Sequence, residues 1–158
     1  MTIMGIDPGT ATTGFGIIKK DRSNFLMLDY GVIATSPKET ASKRLEKIFQ
    51  EISLILKKHK PNLVVVEKLY FFKNLKTAMP VAEARGVILL ATQQNKIKLI
   101  ELTPLEVKMG ICGYGRAEKQ QVQKMVKEIL KLEKIPKPDD SADALALAIC
   151  GALKLRCG

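Results

Sequence analysis

The sequence predicts an α/β fold: a five-stranded mixed sheet, three antiparallel strands and then parallel ones, flanked by helices. Three observations carry this. The first 34 residues hold three strand-like segments joined by short turns, the pattern of an antiparallel meander. Helical and strand periodicities then alternate, as they do where helices cross over between parallel strands. Finally, Leu63-Val64-Val65-Val66 is apolar without alternation, as expected of a strand buried on both faces.

The first strand, Thr2 to Asp7, runs into Pro8-Gly9-Thr10. Pro8 disfavours an α conformation at Asp7 and holds it extended. Gly9 lets another backbone or a phosphate come close. Asp7 therefore ends a strand in a fixed direction, although by itself it could equally begin an Asx-turn. Gly14 to Lys20 and Phe25 to Ala34 are the next strands, with Asp21-Arg22-Ser23-Asn24 as the turn between them.

Ser36-Pro37-Lys38-Glu39 has capping-box spacing, with Thr40 or Ser42 as alternative caps. Beyond it Leu45, Ile48, Phe49, Ile52, Ile55 and Leu56 recur at helical spacing until Pro61 stops the run. Asn62 to Glu67 follows that helix, so a right-handed crossover lays it parallel to an earlier strand. Beside the first strand, Glu67 and Asp7 would emerge together at the carboxyl edge, where open α/β sheets place ligands.

Thr77 to Gln94 reads as a helix with Pro80 in its first turn and a strip of small residues at Ala82 and Gly86. Lys96 to Leu102 is the fifth strand. Thr103-Pro104-Leu105-Glu106 is a second capping box, opening a helix that ends near Gly110, and Cys112 to Arg116 is a loop. From Glu118, Val122, Met125, Val126, Ile129 and Leu130 form a core stripe. The last helix runs from Ser141 to about Leu155, apolar nearly all round from Ala144 to Ile149.

At 158 residues the chain fits one domain, residues 1–158, with a core that needs no staples. Lys and Arg outnumber Asp and Glu by 26 to 16, and the net charge of +10 suits a polyanionic partner, nucleic acid first. No apolar run is long enough to span a bilayer and no secretory leader is visible, so the expected location is the cytoplasm, with no membrane partner. Cys112, Cys150 and Cys157 are odd in number and lack CxxC spacing, against a disulfide framework or a zinc ribbon. His59, the single histidine, sits between Lys58 and Lys60 and reads as a solvated helix-end residue. Neither GxSxG nor a phosphate-binding GxxxxGK[ST] loop occurs. The chemistry falls to carboxylates and lysines.

The last helix opens with Asp139-Asp140-Ser141-Ala142-Asp143. One or two aspartates there would cap N–H groups and complement the helix dipole. Asp140 and Asp143, three apart, also share a face. If this helix start reaches the carboxyl edge, Asp7, Glu67, Asp140 and Asp143 converge. Four such groups repel and need a counter-charge, and an all-oxygen donor set suits a hard cation such as Mg²⁺ or Mn²⁺. An acidic pocket on a basic protein points to a metal mediating between carboxylates and phosphates. Two ions about 3.5–4 Å apart can drive an in-line phosphodiester displacement.

Met4-Gly5-Ile6-Asp7-Pro8-Gly9, Val66-Glu67, Glu83-Ala84-Arg85-Gly86, Thr103-Pro104, Ala117-Glu118-Lys119 and Asp140-Ser141-Ala142-Asp143-Ala144 together resemble the RuvC family of bacterial Holliday-junction resolvases. The resemblance covers essentially the whole chain. It implies a ribonuclease H-like fold, a homodimer, and Mg²⁺-dependent paired nicking of four-way junction DNA in recombination and repair. Asp7, Glu67, Asp140 and Asp143 fall on the family's acidic positions, as catalytic residues and ligands of two Mg²⁺ ions with substrate bound, Mn²⁺ substituting. The family also implies a junction held by the RuvA–RuvB branch-migration complex. Pro80 and the doubled Asp139-Asp140 depart from its usual surroundings.

Tyr70-Phe71-Phe72, flanked by Lys68 and Lys73, follows Glu67 closely, and aromatics in a basic segment can stack on unpaired bases. Tyr70 matches the family's aromatic wedge; Phe71 and Phe72 stay open between stacking and packing. Lys108 and Lys119 match its DNA-contacting lysines, and Arg116 joins them as a phosphate-holding candidate. The alternative for all three is a solvated basic face. Rival readings are a YqgF-like ribosomal RNA precursor nuclease of the same fold, an actin-like ATPase, for which the chain is too short, and a non-catalytic junction-binding module.

Overall fold

The apolar runs of β1 (Thr2–Asp7) and β4 (Leu63–Glu67) form the centre of the sheet, where both faces are covered. β2 (Thr12–Asp21) and β3 (Asn24–Ala34) complete the meander, and β5 (Lys98–Leu102) closes the other side. The order is β3-β2-β1-β4-β5, antiparallel from β3 to β1 and parallel from β1 to β5. The computed structural model describes residues 1–22, 24–69 and 75–155. Among these the helices are α1 (Ala41–His59), α2 (Leu75–Gln94), α3 (Pro104–Cys112), α4 (Lys119–Ile129) and α5 (Asp139–Lys154). None is long and apolar enough to cross a membrane.

Strand alternation divides the core in two. Met4, Ile6, Ile17, Val64 and Val66 face α1 and α2, meeting Ile48, Ile52 and Ile88. Ile3, Ile18, Leu63 and Val65 face α3, α4 and α5, meeting Val107, Val126, Leu145 and Ile149. Full burial of each such aliphatic side chain contributes about 1.5–3 kcal/mol.

Where α5 crosses the sheet, both sides are pared down. Alanines line the helix, and Gly5 of β1 with Gly14 and Gly16 of β2 line the strands beneath it. A Cβ on Gly5 would overlap the Ala144 carbonyl, one on Gly14 the Asp140 carbonyl, and one on Gly16 would sit 2.7 Å from the Leu145 nitrogen. The glycines set how close the start of α5 comes to the ends of β1 and β2.

Several local expectations shift. Thr40 caps α1, its hydroxyl accepting from the Lys43 N–H. α2 starts two residues before Thr77, so Pro80 lies in its second turn rather than its first. Gly86, expected in a close-packed strip, has open space where a side chain would go. α3 continues to Cys112 and ends on Gly113, whose φ of 68° suits a residue without a Cβ. α5 begins two residues before Ser141. Met125 is 39% exposed, and Gln123 takes an inward position on α4. His59 is not solvated: its side chain is 13% exposed and its Nε2 lies 3.0 Å from Asp29 Oδ2.

Gly5→Ala should force α5 away from β1, because the clash is with backbone that cannot rotate aside. The expected loss is about 3 kcal/mol or more of unfolding free energy, read by urea denaturation.

Candidate active site

Parallel pairing brings the first two carboxylates together. Ile3 to Ile6 of β1 align with Leu63 to Val66 of β4, so Asp7 and Glu67 follow as the next residues of adjacent strands. The turn after Asp7 is pinned from two sides. The buried Thr13 hydroxyl donates to the Gly9 carbonyl at 2.6 Å, and Thr35 Oγ1 donates to the Thr10 carbonyl at 2.5 Å. Arg44 Nε in turn donates to Thr35 Oγ1 at 2.8 Å.

α5 supplies the other two. Asp140 and Asp143 point from its first turns across the glycine-lined surface. One carboxylate oxygen from each of Asp7, Asp140 and Asp143 falls in a group no more than 4.8 Å apart. Thr12 Oγ1 donates to Asp140 Oδ2 at 2.5 Å, fixing that carboxylate from the sheet side. Sequence reading missed Thr12. The available signal was the period-two pattern Thr12-x-Gly14-x-Gly16, which puts its hydroxyl on the face that receives α5.

Burial and crowding decide the charges. Burial, then Glu67, Asp143 and Asp140, push the Asp7 carboxyl up to about 8. Burial and then Asp143 raise Glu67 as well. Asp143 is raised mainly by burial, against the opposing hydrogen bond from Lys119. Lys119 Nζ lies 2.9 Å from Asp143 Oδ2 and 3.7 Å from Asp139 Oδ2. Burial works against its charge, but Asp143 and the other aspartates outweigh it and hold the ammonium protonated.

A cavity of about 190 Å³ opens beside the cluster, lined by Glu67, Asp143, Lys108 and Lys119 among others. Lys108 reaches it from α3, half-buried. Arg116 is exposed in the turn between α3 and α4 and does not line this cavity. Tyr70, with Phe71, Phe72 and Lys73, lies outside the described residues. The donor set is oxygen only, its anionic charge is crowded beyond what one lysine offsets, and it opens to solvent beside cationic side chains. That fits a hard divalent cation and not a soft one.

A family model described as Crossover junction endodeoxyribonuclease RuvC matches residues 3–151. The chain is 54% identical over 149 residues to the RuvC of Fusobacterium nucleatum, covering 94% of this chain and 78% of that one. It is also similar to the structure of Thermus thermophilus RuvC, at 34% identity and a TM-score of 0.92, covering 100% of this chain and 97% of that one. The complex of Thermus thermophilus RuvC with a Holliday junction substrate matches with the same TM-score and coverage at 31% identity.

Because Asp7 titrates near 8 in the fold and near 3.8 when unfolded, its stabilising contribution is complete below about pH 4. It is lost as pH rises through about 8. In EDTA the melting temperature should therefore fall from pH 5 to pH 8. Asp7→Asn, which cannot ionise, should flatten that fall and melt about 5 °C or more above wild type at pH 8. Equal slopes in the two proteins would contradict the crowding.

Proposed function

The chain belongs to the RuvC family of crossover junction endodeoxyribonucleases, and we propose how its own residues resolve a Holliday junction. It is a nuclease of recombination and repair that cuts four-way DNA. The observation that carries the residue-level reading is the meeting of Asp7, Asp140 and Asp143 beside Glu67 at the carboxyl edge of the sheet.

Asp7, Asp140 and Asp143 would hold Mg²⁺, with Glu67 completing the set for a second ion when DNA is bound; Mn²⁺ meets the same donors. The ions supply Lewis-acid polarisation of the phosphate and a water acidic enough to attack it near neutral pH. The protein's part is preparation. Asp7 would give up its proton on becoming a ligand. Asp143 would give up its bond to the Lys119 ammonium on binding metal, leaving Lys119 to meet a phosphate oxygen. Lys108, which lines the same cavity, binds the same strand. Thr12 holds Asp140 so that its carboxylate is aimed before the substrate arrives. Arg116 contacts DNA away from the cup, and Tyr70 is proposed to stack on a base at the junction.

Resolution needs two cuts related by symmetry, so the working unit is proposed to be a homodimer with one cup per subunit. α2 offers the face. Met79, Glu83, Gly86 and Leu90 recur along its exposed side, with Met79 66% and Leu90 52% exposed. From Gly86 to Ala91 the helix carries no polar side chain, a run that calls for burial on more than one side. Gly86 leaves the middle of the stripe open for a second helix to approach. The RuvA–RuvB branch-migration complex would deliver the junction.

Asp7→Asn should lower junction nicking in Mg²⁺ by at least about 100-fold while leaving junction binding in a gel-shift assay nearly unchanged. Retained nicking would remove Asp7 from the metal site. Gly86→Arg, placed where no neighbouring atom lies, should keep the melting temperature yet sediment as a monomer. Its nicks should become single rather than paired. A dimer that persists would move the interface off α2.

A further inference from the structure

A second cavity shares Lys119 with the carboxylate cup. It holds about 450 Å³ and is walled by Lys119, Gln123 and Lys124 of α4, Ile135 and Lys137 of the connection to α5, and Asp139. Three lysines face one aspartate there. Asp139 is already engaged, 2.6 Å from Lys137 Nζ and 3.7 Å from Lys119 Nζ. Lys124 forms no ion pair with any described acidic residue. The lining thus keeps an excess of positive charge that nothing on its own walls balances.

Gln123 says what kind of group is missing. It is only 5% exposed, set between Val122 and Val126 on the inward side of α4, and its Nε2 closes no full hydrogen bond, the Asp139 carboxylate beside it being taken by Lys137. An amide NH₂ buried without an acceptor carries its full desolvation penalty, and native folds rarely leave one so. A cation would meet one aspartate against three lysines, and an apolar ligand would strand the ammonium groups. A phosphate suits the lysines and the amide, taking charge-assisted bonds from the former and a neutral one from the latter, while Asp139 keeps its pairing with Lys137.

We propose that this cavity is a phosphodiester subsite. It takes the backbone phosphate next to the scissile one on the same strand, with Gln123 Nε2, Lys124 Nζ and Lys137 Nζ donating to its oxygens. Lys119, common to both cavities, lies between the two phosphates. The subsite fixes the register of the strand, so that one phosphate and not its neighbour rests over the carboxylates. This rests on the nuclease reading above.

The test is a set of four-way junctions with single methylphosphonates, which remove one phosphate charge, at each of three positions on either side of the cut. For wild type, one flanking position should weaken binding about 10-fold and reduce the salt slope by about one. The Lys124→Ala/Lys137→Ala variant should bind the unmodified junction about 10-fold more weakly and lose less than twofold more at that same position. Gln123→Met, which keeps the buried volume, should melt at or above the wild-type temperature and show the same insensitivity. The subsite is overturned if the double variant stays as sensitive as wild type, if sensitivity is spread evenly over all positions, or if Gln123→Met melts far below wild type. Nicking of the unmodified junction by wild type is read alongside. Its absence would sink the nuclease reading, while binding interference with normal nicking isolates the subsite.

Discussion

Repulsion among buried carboxylates is the constraint on which the rest depends. Aligned strands bring Asp7 beside Glu67, and a helix laid on glycines brings Asp140 and Asp143 over them. No arrangement of the backbone relieves that crowding. Without divalent cation the site is kept by a proton on Asp7 and by the Lys119 ammonium on Asp143. A divalent cation bound there would replace both at once. A site that costs stability when empty is one that binds a counter-ion strongly, because binding removes the strain it relieves.

The same constraint explains the charge pattern. A protein of net charge +10 draws phosphate backbones to its whole surface, and such attraction is indifferent to position. The acidic cup would supply the discrimination, since its carboxylates repel a phosphate unless a cation lies between them. Lys108 and Lys119 stand at its wall, and Lys124 and Lys137 continue the cationic lining beyond Lys119. Binding is spread widely; chemistry is confined.

Much of this was legible in the chain. The meander, the crossover to the Leu63–Val66 run and the order of helices follow from turn chemistry, capping and period, and the likeness to the RuvC family is borne out across nearly the whole chain. The closeness of Asp7 and Glu67 follows once β1 and β4 are paired. Other features were hidden because they depend on what lies across a gap. Gly14 and Gly16 read only as the glycines through which the second strand leaves the turn, whereas each is needed because α5 lies on it. Gly86 read as a packing residue, yet the space above it is open. His59 looked solvated because its partner Asp29 is 30 positions away. Gln123 was passed over since helical period alone favours Met125, and the wedge segment around Tyr70 has no pattern from which to place it.

Metal binding to so crowded a cluster must displace a proton from it. Mg²⁺ titrated calorimetrically at pH 7, in buffers of different ionisation enthalpy, counts the protons released. An Asp7 carboxyl near 8 predicts that about one proton leaves per chain as Mg²⁺ binds. Binding with no release would mean that the aspartates are already ionised and uncrowded, contrary to the arrangement described.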